Sequence, residues 1–368
     1  MPAPAAQAGA GERADEPGER SALELKGRVF VRNTVIRADW ENRLTLDSAR
    51  LGAVYRHPAH GLRVEVEAEF TDDGGEVRDA HLRYRLHRTL RVQVGRFKRP
   101  VSVIGLSSRW RLPTAERGAL NDLQVSNERT VESDELGLGG RAVGAALIAR
   151  DRKLWGNPEL TVAVMRSPVH AQIARAVGFG NRTPLGWSEG FPEDLIARLT
   201  IEPGRGIDLG ATVAMLNQLA IAGDRESSRV GYLAVLDARI RQRLAEGFSV
   251  SVWVEGFLGS NPLHLTSAVE AVGRFMAARA ILAGRIRLGS SMQLEPYVAA
   301  QLLDASDELD DDQLRQASAG VNLNVGARWR IQTAVDRASL DRELAAGADR
   351  RILYIDNTLF IVQLGAVF

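Results

Sequence analysis

The chain contains no cysteine, which rules out a disulfide framework, a thiol nucleophile and a cysteine-bound metal. Lysine is almost absent too: Lys26, Lys98 and Lys153 stand alone among 47 basic residues, and the rest are arginine. Arginine presents a planar fork to oxyanions and keeps its charge under burial, whereas lysine acts as a point charge. No apolar run approaches the roughly 18 to 20 residues of a membrane-spanning helix. The most apolar short stretch is AVGAALIA, Ala142 to Ala149. There is no Gly-x-Ser-x-Gly element, phosphate-binding loop or zinc motif, and no serine-base partnership for His81, His87, His170 or His264. An enzyme is therefore not expected, nor is a cofactor. A net charge of +1 gives no overall field for nucleic acid.

What is present is alternation. With 45% hydrophobic and 25% charged residues the 368-residue composition is that of a soluble protein, and mean hydropathy is −0.14. A membrane β-strand escapes hydropathy tests, because it needs only about 9 to 11 residues and shows every second one to lipid. From Glu24 onward the pattern has period two. Leu62, Val64, Val66, Ala68 and Phe70 alternate with Arg63, Glu65, Glu67 and Glu69. Ala80, Leu82, Tyr84 and Leu86 alternate with His81, Arg83, Arg85 and His87; Val250, Val252 and Val254 alternate with Ser249, Ser251, Trp253 and Glu255. About sixteen such segments begin near Glu24, Leu44, Leu62, Val77, Leu90, Leu136, Glu159, Asp194, Gly206, Arg229, Gly247, Ala268, Ile286, Arg315, Arg328 and Arg351. Short turns (HPAHG, HRT, EPGRG, LAEG) follow the even segments, and long connections such as Lys98 to Glu135 and Ser167 to Glu193 follow several odd ones.

Short turns on one rim and long loops on the other describe a transmembrane antiparallel β-barrel of the bacterial outer membrane, with short periplasmic turns and long extracellular loops. A soluble sandwich would have to bury rows such as Glu65, Glu67 and Glu69, at several kcal/mol for each unpaired carboxylate; a water-filled lumen asks little. The last segment, FIVQLGAVF, puts Phe360, Val362, Leu364, Ala366 and Phe368 on one face. A terminal aromatic on such a strand is the form of a barrel-assembly signal, so Phe368 is assigned that role and the assembly machinery is an expected partner. Residues 1–23 read as a disordered tail in which Ala6-Gln7-Ala8 has the small-x-small form of a signal-peptidase site. Residues 24–368 read as one barrel domain.

Several stretches, in order, resemble the phosphate-selective porin O and P family. KGRVFV and SARLGAVYR resemble its first two strands. VEVEAEF, VRDAHLRYRL and VQVGRFKRP resemble its most distinctive part, where Gly95, Phe97, Lys98 and Pro100 form a Gly-x-Phe-Lys-x-Pro element leading into the third loop. SSRWRLPTAERGAL, ARLTIEP, FSVSVWVEGF and AGVNLNVGARWRIQTAVDRAS follow in the same order. The resemblance implies a sixteen-stranded barrel, usually a homotrimer, that conducts anions past an inward-folded third loop, here at about 98–135. Arg99 and Val101 depart from the family pattern around the proline, which bears on phosphate specificity.

If that loop enters the lumen, Arg96, Lys98, Arg99, Arg109, Arg111 and Arg117 become the candidate constriction, since a charged ring acts most strongly where a solute is most desolvated. Arg50, Arg63, Arg83, Arg85 and Arg91, with Glu65, Glu67 and Glu69, become the candidate lumen wall. Those arginines can equally pair with the glutamates across strands and neutralise it. His57 and His60 lie in a predicted tight turn without further ligands, so no metal is expected; Asp304, Asp307, Glu308 and Asp310 to Asp312 read as a solvated acidic loop. The expected function is passive diffusion of small solutes with a modest preference for anions such as phosphate, in contact with outer-membrane lipid and lipopolysaccharide. The alternative is a barrel recruited into a secretion, surface or electron-transfer complex with no free-diffusion role.

Overall fold

The computed structural model describes residues 21–37, 40–72, 74–115, 122–126, 129–132, 140–166, 193–222, 225–260, 274–304, 307, 313–340 and 357–368. Sixteen antiparallel strands close into a barrel. In chain order they are β1 (Ala22–Ile36), β2 (Glu41–His57), β3 (Leu62–Thr71), β4 (Gly74–His87), β5 (Leu90–Lys98), β8 (Arg141–Arg150), β9 (Glu159–Arg166), β10 (Glu193–Gly204) and β11 (Ile207–Ala222). They continue with β12 (Arg225–Ala245), β13 (Phe248–Ser260), β14 (Arg274–Arg287), β15 (Met292–Asp304), β16 (Gln313–Val325), β17 (Trp329–Leu340) and β18 (Asn357–Val367). A separate hairpin, β6 (Asp122–Ser126) and β7 (Arg129–Glu132), lies between β5 and β8, which pair directly with each other. Closure is the β1–β18 seam, in register from Arg28 opposite Val367 to Ile36 opposite Leu359. Every strand thus has two partners, and a barrel without an edge satisfies its backbone inside lipid.

Each expected segment corresponds to one barrel strand. The largest offsets are at β14, β15 and β18, which begin at Arg274, Met292 and Asn357. For β15 the reason is local: Ile286 still pairs with Phe248 in the preceding hairpin, and the chain turns only at Leu288–Ser291, where Gly289, Ser290 and Ser291 supply the turn. The expected third loop also holds regular structure, the β6–β7 hairpin. At the short-turn rim, the two-residue connection Arg205-Gly206 depends on its glycine. Gly206 has φ +78, and a Cβ there would collide with the Arg241 carbonyl oxygen.

The alternation sorts side chains as the pattern implies. Val66 is 48% exposed on the outer face while Glu65, Glu67 and Glu69 are buried inside, and Val254 is exposed beside buried Trp253 and Glu255. The interior is not charged all round, however. Along β9–β16 the inward positions nearer the long-loop rim are Met165, Ile196, Leu216, Leu233, Phe257, Phe275, Leu303 and Leu314, which form one buried cluster with Phe97 and Val101. The expectation of a water-filled lumen therefore does not hold along this arc. Buried apolar side chains packed against one another hold no water, so this part of the bore is core.

This sorting predicts an asymmetric response. Val66→Arg sets a guanidinium in lipid near mid-strand and should lower stability by about 2 to 4 kcal/mol. Thr200→Arg, inward and directly opposite Glu159, should stay within about 0.5 kcal/mol. Heat-unfolding midpoints measured side by side check it, and equal losses would overturn the inside-outside assignment.

Candidate pore constriction

The Gly-x-Phe-Lys-x-Pro element turns the chain into the bore. Gly95 has φ +123, and a Cβ would strike the Ala80 carbonyl of β4, so only glycine fits. Phe97 is buried and packs edge-on against His81 at 6.2 Å. Past Pro100 the chain forms one helical turn, α1 (Val103–Leu106), with Ser102 as N-cap accepting from the Gly105 N–H at 3.1 Å. Lys98 closes its other end: Nζ donates to the carbonyls of Gly105, Leu106 and Ser107 at 3.1, 2.9 and 2.8 Å. A 3-10 turn, Arg109–Arg111, follows.

Three carboxylate–arginine pairs on the wall fasten this segment by its backbone. Arg198 of β10 lies against Asp237 of β12 at 2.6 and 2.9 Å and donates to the Val101 carbonyl at 2.8 Å, which also accepts from Thr212 at 2.7 Å. Glu255 of β13, paired with Arg279 at 2.7 Å, accepts from the Ile104 N–H at 2.6 Å. Arg330 of β17, 1% exposed, donates to the carbonyls of Trp110 and Leu112 at 2.7 and 2.8 Å and to Glu295 at 3.2 Å. Asn322 of β16 donates to the Pro113 carbonyl at 2.6 Å. On the opposite wall Arg28 of β1 donates to Ser108 Oγ at 2.6 Å, Arg109 pairs with Asp47 of β2, and Trp110 packs on Phe30 at 5.8 Å. Residues Val101 to Ala115 thus touch both sides of the barrel and partition its bore. Hydrogen bonds to charged groups contribute about 1.5 to 3 kcal/mol each, so the segment is held firmly.

The candidate constriction residues divide by their contacts. Arg99 is buried and paired with buried Asp194. Lys98 caps α1, Arg109 is paired with Asp47, and Arg96 faces Glu76 at 3.5 Å. Arg117 lies outside the described residues, as do 1–20 of the expected tail and 308–312 of the acidic loop. Arg111 is the exposed arginine of the segment.

On the candidate wall, pairing is extensive. Arg50 is paired with Glu69 and, at 3.2 Å, with Glu67; Arg63 meets Glu65 at 2.7 Å. Lys26 is paired with Glu65 and meets Glu67 at 3.2 Å, Arg28 meets Glu67 at 3.4 Å, and Arg78 meets Glu69 at 2.6 Å. Arg83 donates to Gln93 at 2.7 Å and Arg85 to the Pro58 carbonyl at 3.0 Å, while Arg91 is half-buried. Each of Glu65, Glu67 and Glu69 thus has cationic partners; of the five candidate wall arginines, Arg50 meets them across strands and Arg63 within its own strand.

A second basic group went unremarked in the sequence. β12 carries Arg239, Arg241 and Arg243 on successive inward positions, and β14 carries Arg285 and Arg287. Arg241 and Arg285 have side chains 53% and 52% exposed, the former 4.0 Å from Asp208 and the latter 2.8 Å from Glu295. Arg239 meets Asp208 at 2.7 Å and lies over the Trp253 ring at 5.1 Å. Arg111, Arg239 and Arg285 all lie within electrostatic reach of Arg241. The signal was the plain run Arg239-Ile240-Arg241-Gln242-Arg243.

A closed sixteen-stranded barrel, apolar outside and crossed by an inward segment after β5, has the architecture of the outer-membrane porins. Solved structures agree. The anion-selective porin of Comamonas acidovorans superposes with a TM-score of 0.58 at 13% identity, over 95% of this chain and 100% of that one. The outer-membrane channel DcaP of Acinetobacter baumannii gives 0.58 at 14% identity, over 95% and 98%. OmpF of Salmonella typhi gives 0.60 at 12% identity, over 94% and 97%. No family model matches the chain, and no curated protein matches it in sequence. Identities this low establish the fold.

Proposed function

We propose that the chain is an outer-membrane porin for passive diffusion of small solutes, with a modest preference for anions such as phosphate. One observation carries the reading: half-exposed Arg241 and Arg285 line the bore on inward positions of β12 and β14 and exposed Arg111 of the inward segment lies within electrostatic reach of Arg241, while Lys26, Arg28, Arg50, Arg63 and Arg78 of the β1–β4 wall are paired with glutamates. A solute passing the segment meets net positive charge on one side and a neutralised wall on the other. Binding stays weak, because Asp208 and Glu295 temper the cluster, and conduction needs release as much as capture. The proposed kinship with the phosphate-selective porins is supported by the ordered motifs and by the local geometry at Gly95 and Lys98.

A homotrimer and engagement of the assembly machinery through Phe368 belong to the same proposal. The Phe368 N–H and carbonyl both bond Gly27 of β1 at the seam, which places the terminal residue where the barrel must close. Planar-bilayer recording under a salt gradient is the test. Regular single-channel steps with a reversal potential on the anion side are expected. A barrel that inserts but shows no steps would favour the partner-filled alternative.

A further inference from the structure

Two strands of the charged wall break their alternation, and each break turns a charge into the bore. On β2, Ala49, Leu51, Ala53 and Tyr55 lie on the outer face, so unbroken alternation would set Asp47 against lipid. The β1–β2 ladder slips instead. Phe30 stands opposite Ser48 and Val31 opposite Leu46, which leaves Asp47 as the extra residue of a β-bulge. A bulge re-aims side chains, and here Ser48, 1% exposed, and Asp47 both point inward. The Leu46 N–H beside the bulge is taken by the Asp72 carboxylate at 2.9 Å. On β4 the same device acts on Arg78, which lacks a ladder partner between Val77 and Asp79 and is turned onto Glu69 at 2.6 Å. Arg78 thereby joins the paired wall, whereas Asp47 meets the inward segment.

We propose that Asp47 sets the ion selectivity of the path between the inward segment and the β1–β2 wall, by offsetting the charge of two arginines. Its Oδ1 lies 3.2 Å from Arg32 of β1; its Oδ2 is paired with Arg109 of the inward segment and accepts from Gln363 of β18 at 3.4 Å. The side chains of Asp47, Arg32 and Arg109 are 12%, 11% and 17% exposed, so the group borders the bore. The pairs Arg99–Asp194 and Arg198–Asp237, by contrast, are sealed in the wall. An aromatic contact beside the group fixes its place. Trp110 packs on Phe30, and Gly365 of β18 leaves the room, since a Cβ there would stand 2.6 Å from Phe30 and 2.9 Å from Trp110. The neighbouring cation Arg28 is divided between Ser108 and Glu67. Two guanidiniums against one carboxylate leave one positive charge at this point; without Asp47 there would be two. Such a role rests on the anion-preferring channel reading, and it explains why that preference is modest.

The test is the reversal potential of the full chain in planar bilayers under a salt gradient, for wild type, Asp47→Asn, Asp47→Glu and Glu202→Gln. Asp47→Asn should raise the anion-to-cation permeability ratio about threefold, since one charge beside the path acts on anions and cations in opposite senses. Asp47→Glu keeps the charge and should stay at the wild-type ratio. Glu202→Gln removes an equal charge at the short-turn rim, where its side chain is 47% exposed and screened by salt, and should also leave the ratio as it is. An unchanged ratio in Asp47→Asn with conductance intact, or an equal rise in Glu202→Gln, would overturn the role. If Asp47→Asn does not insert, Arg109→Gln reads the same group from its other side: the ratio should fall about threefold, and constancy there overturns the role as well. A wild type that prefers cations would refute the anion-channel reading, while the change from wild type to Asp47→Asn would still decide on Asp47.

Discussion

Changing Arg111, Arg241 and Arg285 together to serine is expected to move the reversal potential from the anion side to near zero or beyond, with the barrel still inserted and conducting. At about 7 Å each charge acts on a passing ion with about 0.6 kcal/mol even at the dielectric constant of water. Screening over roughly 8 Å at physiological salt weakens this without removing it. Because the same charges attract anions and repel cations, the combined effect on the preference is about 2 kcal/mol, or more than tenfold in permeability ratio. The comparison variant is Arg50→Ser. Its side chain is buried against Glu67 and Glu69, so its loss should harm stability more than selectivity. An unchanged reversal potential in the triple variant, with conductance intact, would refute the constriction role.

The contrast between these two sets of arginines also shows how far the sequence could be read. Strand number, facing and the place where the chain turns inward were legible, because each is a local property: period-two alternation, turn residues, and a glycine with its Phe-Lys-x-Pro sequel. Pairing across the bore was not. Arg99 looks like a member of a basic loop, yet its partner Asp194 is 95 positions away. Only the pairing of β5 with β8, β8 with β9 and β9 with β10 brings β10 near the loop entrance. Arg241 and Arg285 are unremarkable within their own strands, and their nearness to each other across β13 depends on strand order and stagger. The apolar interior arc was hidden for another reason. A strand buried on both faces and a strand between lipid and water differ only at the inward positions, so Phe257 and Phe275 could be placed on a face but not known to be covered.

The largest effect on stability should come from the pair that holds Val101. Arg198 and Asp237 meet through two bonds, at 2.6 and 2.9 Å, with side chains 4% and 2% exposed. Space for them is made by Gly210 on the strand between, where a Cβ would sit 2.5 Å from Asp237 Oδ1. Asp237→Asn keeps the shape and removes the charge. The guanidinium then stays buried with neutral acceptors alone, the Val101 carbonyl, the Thr212 hydroxyl and the one amide oxygen left at position 237, whose NH2 now opposes an Arg198 N–H. Removing one partner of a buried pair costs about 3 to 5 kcal/mol, chiefly through the uncompensated charge left behind. The double variant Arg198→Met with Asp237→Leu should recover most of that loss, since an apolar pair of similar volume suits the adjoining cluster of Ile196 and Val235. Gly210→Ala should behave like the single variant, by forcing the pair apart. Unfolding midpoints of the four proteins in detergent decide the matter. If Asp237→Asn stays within about 0.5 kcal/mol of wild type, the pair does not hold the inward segment and the bonds at Glu255 and Arg330 must suffice.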